Sequence, residues 1–402
     1  MTERESPFSP GKPVQADLFV GREDEIGEVI QFLRQCATGR NENIAISGER
    51  GFGKSSLALM AASFASRDLR FGVAYCQLTA ASTTEEVCTL VAERLLAQLA
   101  TDTMAQKAKT VFNRYIDHVS VGLFGTGLQV KFRPDPSLRI DLKLRFPELI
   151  TETYLRLAPE IDGLMIVLDD LNGVVRDQTF ANFLKGWVDG MVTSGHRAIP
   201  LAIVVVASED KLGALTKSQP SVGRIFRPVV LHRLPKDKTE SFFTKAFASA
   251  NVSVEKRALR DLCYFSDGVP SIMHEVGDAA FWQNQDQSVS SEDAQVGIIK
   301  AAKIIGLKYV EPQVVSKIRS KSYRQIISAM AALPGRVFTR KQLLSSVPGD
   351  DKKQVDNLLV KLKALGVIHT TEETPGEYEF IHTLDRLYFR VISAEWKAPK
   401  TR

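Results

Sequence analysis

The chain has 402 residues, 44% hydrophobic and 25% charged, a balance that fits two or three globular domains with ordinary cores. It has no apolar run of bilayer length, no apolar signal core in a first stretch that holds Glu3, Glu5 and Asp17, and no Cys-x-x-Cys pair among Cys36, Cys76, Cys88 and Cys263. A membrane span, secretion and a zinc or disulfide framework are thereby disfavoured, and a reducing cytoplasm is expected. The net charge of +5 is uneven: residues 296–402 carry 19 Lys and Arg against 10 Asp and Glu, so the tail permits an acidic partner such as nucleic acid.

Residues 1–17 hold three prolines among polar residues and read as a flexible lead. Phe19-Val20-Gly21-Arg22-Glu23 then opens a helix whose apolar positions recur through Ile26, Val29, Ile30 and Leu33. The short apolar strand 43–47 runs into Gly48-Glu49-Arg50-Gly51-Phe52-Gly53-Lys54-Ser55-Ser56 and a following helix. This is the Gly-x-x-x-x-Gly-Lys-Ser phosphate loop, in the strand–loop–helix context that gives the motif its meaning. Glycines let successive backbone N–H groups turn toward phosphate oxygens, and the helix opening adds its positive dipole end. Lys54 would reach the β- and γ-phosphates and Ser55 would ligate Mg²⁺. A nucleoside triphosphate is the expected ligand.

A strand over 71–78 and an amphipathic helix over 83–100 follow. Val119, Val121 and Leu123 alternate with small or polar residues, as do Leu128, Val130 and Phe132, across a turn at Gly127. This is a hairpin pattern, an insertion at about 118–133 whose Lys131 and Arg133 could meet an acidic partner, or whose apolar face simply covers the core. After a helix over 147–157, the strand Leu164-Met165-Ile166-Val167-Leu168 delivers Asp169 and Asp170. Paired carboxylates at the carboxyl end of a parallel strand suit Mg²⁺ holding by the first and water activation by the second. A helix over 180–191, a strand over 201–207 and a short strand over 229–231 complete an alternating α/β pattern, a parallel sheet with helices on both faces.

These residues carry a resemblance. The chain resembles the origin-recognition-type branch of the AAA+ ATPases, and the related STAND signalling ATPases, over about residues 18–295. The resemblance implies ATP or ADP with Mg²⁺ as ligands, base contacts from Phe19, Val20, Gly21 and Arg22, and a phosphate-sensing role for Ser208. It implies that Arg224 is an arginine finger acting on a neighbour's nucleotide, although a plain surface arginine fits that position equally. It also implies a helical lid carrying Gly268-Val269-Pro270, with Pro270 near the nucleotide. Two positions depart from the AAA+ pattern. Asp170 stands where glutamate is usual, so slow hydrolysis is expected, and Ser271 stands where a lid arginine is usual. Both lean toward STAND-like switches.

Beyond a helical stretch over 236–282, the tail reads as helices over 323–332, 340–346 and 352–365, then strands over 367–369 and 378–381 around Pro375-Gly376. Three helices and a two-stranded wing make a winged helix-turn-helix pattern. Lys352, Lys353, Asn357, Lys361 and Lys363 lie on or beside its third helix, the element that enters the major groove of duplex DNA. Glu372, Glu373, Glu377 and Glu379 in the wing oppose phosphate contact and suit a protein-docking module instead.

The expected architecture is therefore an AAA+-type P-loop domain over 18–233, a helical lid over 234–295, and a linker helix with a winged helix over 296–402. Two functions stay open: an ATP-controlled switch that assembles as a homo-oligomer or with a partner protein and contacts duplex DNA, or a STAND-type signalling ATPase that binds a protein effector and no DNA.

Overall fold

The computed structural model describes residues 4–12, 20–99, 102–115, 119–124, 127–132, 142–193, 199–318, 320–371 and 374–397. The chain divides into two units, Pro13–His232 on the one hand and Met1–Lys12 with Arg233–Arg402 on the other.

In the first unit the elements run α1 (Glu23–Ala37), β1 (Glu42–Gly48), α2 (Lys54–Asp68), β2 (Phe71–Gln77), α3 (Thr84–Ala97), α4 (Asp102–Tyr115), β3 (Val119–Phe124), β4 (Gly127–Phe132), α5 (Leu142–Leu157), β5 (Gly163–Asp169), α6 (Gln178–Thr193), β6 (Leu201–Val206), α7 (Glu209–Ser218), α8 (Val222–Ile225) and β7 (Arg227–Leu231). Five strands form one parallel sheet in the order β2-β5-β6-β1-β7. β5 and β6 are buried along their whole length, which is why both read as unbroken apolar runs rather than alternating ones. Their side chains still divide by parity. Ile166, Leu168, Ile203 and Val205 join a core with Val91 and Leu95 of α3, Phe146 and Ile150 of α5, and Leu184 and Trp187 of α6. Within that core Phe146 meets Trp187 edge-on at 4.9 Å, a favoured aromatic geometry.

Two features depart from the expected elements. Residues 102–115 are helical, with Met104, Ala108, Val111, Phe112 and Tyr115 on one buried face. α5 begins five residues before the expected start, so Pro147 is its sixth residue, past the four N–H groups that lack intrahelical acceptors, and costs the helix one hydrogen bond. The hairpin expected at about 118–133 is present as the antiparallel pair β3–β4 between α4 and α5, while Arg133 lies outside the described residues.

The second unit contains α9 (Lys236–Ser249), β8 (Ser253–Val254), α10 (Lys256–Ser266), α11 (Pro270–Phe281), β9 (Ser288–Val289), α12 (Ser291–Ile305), α13 (Glu311–Gln313), α14 (Lys321–Ala332), β10 (Val337–Thr339), α15 (Arg340–Ser346), α16 (Val355–Ala364), β11 (Ile368–Thr370), β12 (Glu377–Phe380) and α17 (Thr383–Lys397). The tail sheet has three strands, β10-β12-β11, all antiparallel, not the two expected. α17, absent from the expected pattern, closes this core with Tyr388, Phe389 and Ile392. Gly306 admits the Tyr388 ring: a Cβ there would stand 2.1 Å from it. Asp267 ties the helical part to the tail by accepting from both Arg233 and Arg336, the latter at 2.6 Å. Arg233 also donates to the Ile381 carbonyl at 2.6 Å.

The expected flexible lead is corrected over its described part. Phe8 is 5% exposed and its ring lies 5.0 Å from that of Phe247 and 6.0 Å from that of Phe242. Arg4 donates to the Phe281 carbonyl at 3.0 Å and stacks over its ring at 4.5 Å. A lone aromatic among prolines gives no periodic signal, so the anchor is invisible to pattern reading. Phe8→Ala is expected to lower the stability of this unit by roughly 3–5 kcal/mol. Urea titration followed by tryptophan fluorescence checks it, and an unchanged midpoint would show the segment to be dispensable.

Candidate nucleotide site

The carboxyl ends of β1, β5 and β6 bring the two sequence motifs together, since β6 lies between the other two strands and pairs with both. Gly48 ends β1 with φ +141°, and a Cβ there would stand 2.5 Å from the Leu231 carbonyl oxygen of β7. Only glycine lets the chain leave the sheet at that point. Gly53 is left-handed, with φ +90°, and caps α2, whose first residues are Lys54, Ser55 and Ser56. Glu49 and Arg50 form the exposed turn between, and the Phe52 side chain is buried.

Lys54 Nζ donates to the carbonyls of Gly48 at 2.9 Å and Glu49 at 2.8 Å. The amine folds back over the loop whose backbone it shares, the place a phosphate would occupy. Burial depresses the Lys54 pKa below the usual lysine range, although Asp169 and Asp170 pull the other way. A desolvated ammonium in a glycine loop is a group poised to gain an anionic partner.

Asp169 is 4% exposed at the end of β5, and no ion pair to it occurs among the described residues. Tyr75 Oη donates to its Oδ2 at 2.6 Å and lies 3.5 Å from the Ser55 carbonyl oxygen. Burial and the adjacent carboxylate push the Tyr75 pKa upward, so the phenol keeps its proton. Asp170 follows with φ +60°. Its Oδ2 accepts from Thr79 Oγ1 at 3.1 Å, its Oδ1 accepts from Asn172 Nδ2, and its N–H donates to the Val206 carbonyl at 3.2 Å. The residue set fits Mg²⁺·ATP: a glycine loop opening a helix for phosphates, a lysine, and a buried carboxylate.

The remaining sequence candidates fall in several places. Ser208 holds the N-cap position of α7, two residues after β6, and its hydroxyl donates to Asp210. Arg224 is exposed, donating to Ser221 Oγ at 3.0 Å. Arg22 is a buried brace: it pairs with Glu25 at 2.8 Å and donates to the carbonyls of Phe52 and His232. Val20 and Gly21 precede it, and Phe19 lies outside the described residues. Pro270 opens α11 in the second unit, where Gly268 passes so close to Leu234 that a Cβ would lie 2.2 Å from its carbonyl oxygen. Sequence reading missed Tyr75, Thr79 and Asn172. A tyrosine inside an apolar strand, two positions before the register partner of Asp169, was the available signal.

In the tail, Lys352, Lys353, Asn357 and Lys363 are exposed. Lys361 is not on that face; its Nζ donates to the Lys317 carbonyl at 2.7 Å beside the Tyr323 ring. Asp356 is taken by Arg340 in a two-bond pair of 2.6 and 2.7 Å. Of the wing carboxylates, Glu379 is held by Arg336 at 2.8 Å, Glu377 accepts from Thr371 at 2.8 Å, and Glu372 and Glu373 lie outside the described residues.

Residues 18–193 match the family model of the AAA ATPase domain. No curated protein matches the sequence. Among solved structures the chain is similar to the Walker-type ATPase PABY2304 of Pyrococcus abyssi, at 15% identity over 96% of this chain and 99% of that one, with a TM-score of 0.55. It is also similar to the ORC2 protein of Aeropyrum pernix, solved in ADPNP-ADP complexes, at 14% identity over 97% and 96% of the two chains, with a TM-score of 0.56. These likenesses share the fold described above. No helix among the described residues is long and apolar enough to cross a membrane.

Proposed function

We propose that the chain, whose residues 18–193 match the AAA ATPase domain, hydrolyses ATP as a slow, Mg²⁺-dependent switch whose tail engages duplex DNA. The observation that carries the nucleotide part is the meeting of Lys54, Ser55 and Asp169 at one sheet edge. In this reading Lys54 releases the Gly48 and Glu49 carbonyls and holds the β- and γ-phosphates, while Ser55 and Asp169 hold Mg²⁺. The ion, when bound, screens the charge of the phosphates. Asp170 orients the attacking water, Ser208 reports the γ-phosphate, and the exposed Arg224 is available to the nucleotide of a neighbouring copy. Val20 and Gly21 flank the base. The helical segment 234–295, which carries Pro270, is the lid of this reading, and 296–402 its linker helix and winged helix.

Slow turnover follows from Asp170, which is a methylene shorter than glutamate and already shared by Thr79 and Asn172. Asp170→Glu is expected to raise kcat several-fold at saturating ATP; an equal or lower rate would remove the water-orienting role.

For the tail, Lys353 of the 3₁₀ turn Gly349–Gln354 and Asn357, Val360 and Lys363 of α16 are exposed, Val360 by 69%. Cations for phosphates, an amide for a base edge and an aliphatic group for a thymine methyl form a major-groove set. Glu379 opposes this less than its charge implies, because Arg336 already neutralises it. The second reading, a docking helix for a protein effector, draws on the same exposed Val360 and on Ser271 in the lid. Fluorescence anisotropy with duplex DNA, in ATP and in ADP across a salt series, separates the two. Binding that is stronger in ATP and falls steeply with salt is expected; no binding in either nucleotide would leave the protein-docking reading.

A further inference from the structure

We propose that Tyr75 is a positioning residue for the divalent cation that accompanies ATP, holding Asp169 so that one carboxylate oxygen is left facing the ion. The inference rests on the reading that Asp169 and Ser55 hold Mg²⁺. Tyr75 pairs in register with Val167, and Gln77 with Asp169. Alternate residues of a strand share a face, so Tyr75 lies diagonally below Asp169 on the same side of the sheet. The phenol rises from there to the first turn of α2. Its hydroxyl is 2.6 Å from Asp169 Oδ2 and 3.5 Å from the Ser55 carbonyl oxygen. It thus stands between the two elements that supply the proposed ligands.

The consequence is geometric. An ionised carboxylate has about four lone-pair directions on two oxygens, and a buried one without a fixed donor can rotate between orientations. Tyr75 occupies Oδ2, which restricts rotation of the group, and no donor to Oδ1 is found among the described residues. Thr79 and Asn172 do the equivalent for Asp170 alone, so the two neighbouring carboxylates are held by separate sets of donors. Hydrogen-bond partners of metal-holding carboxylates typically change metal affinity roughly 10–100-fold when removed.

Tyr75→Phe removes one oxygen and keeps the ring. The test uses the full chain and the binding of a fluorescent ATP analogue, first in EDTA and then across a Mg²⁺ titration. Affinity in EDTA is expected to stay within about two-fold of the parent, which also reports an intact loop. The Mg²⁺ concentration that half-completes the tightening is expected to rise roughly ten-fold or more. In an Asp169→Asn background the same substitution should add nothing. An unchanged Mg²⁺ midpoint in Tyr75→Phe would overturn the inference, as would an equal loss of affinity with and without Mg²⁺, which marks a purely structural role. A parent chain that binds the analogue without responding to Mg²⁺ would overturn the metal reading itself, and the inference with it.

Discussion

A parallel sheet covered on both faces leaves only the ends of its strands for chemistry. β5 and β6 have no exposed residue along their length, so polar groups reach solvent-accessible space only where those strands stop. Everything at the site follows from that boundary. β1 has to turn off the sheet against the backbone of β7, which Gly48 permits. β5 has to end on a charge, and Asp169 is the first one it reaches. Arg22 braces the same edge by binding the carbonyls of Phe52 and His232, joining the phosphate loop to the end of β7.

The fold and the centre of the site were legible because they depend on short-range patterns. Apolar runs gave the buried strands, and the glycine-lysine spacing gave the loop. The double aspartate gave the opposing edge. What was not legible depends on contacts distant in sequence. Phe8 is anchored by rings more than two hundred residues away, and Tyr75 gains its meaning only from its neighbour strand. β10 is a three-residue strand, too short to alternate. α4 and α17 are different: both have buried apolar residues at helical spacing and were available to pattern reading.

The tail shows how internal pairing reshapes a surface that composition describes only in bulk. A count of basic residues assigns Lys361 to the same face as Lys353 and Lys363, but its ammonium is spent on the Lys317 carbonyl. A count of acidic residues makes the wing repulsive to phosphates, but Glu379 faces Arg336. Arg340, the first residue of α15, is held by Asp356. Exposed pairs of this kind contribute little to stability; their effect is to decide which charges remain for a partner.

The central claim is that the backbone of the glycine loop is the phosphate-holding element. Amide hydrogen exchange of the full chain, with and without Mg²⁺·ATP, tests it most directly because it reads the N–H groups themselves. Marked slowing confined chiefly to residues 48–56 is the result the account predicts. Exchange in that loop that stays unchanged while nucleotide is bound would contradict it.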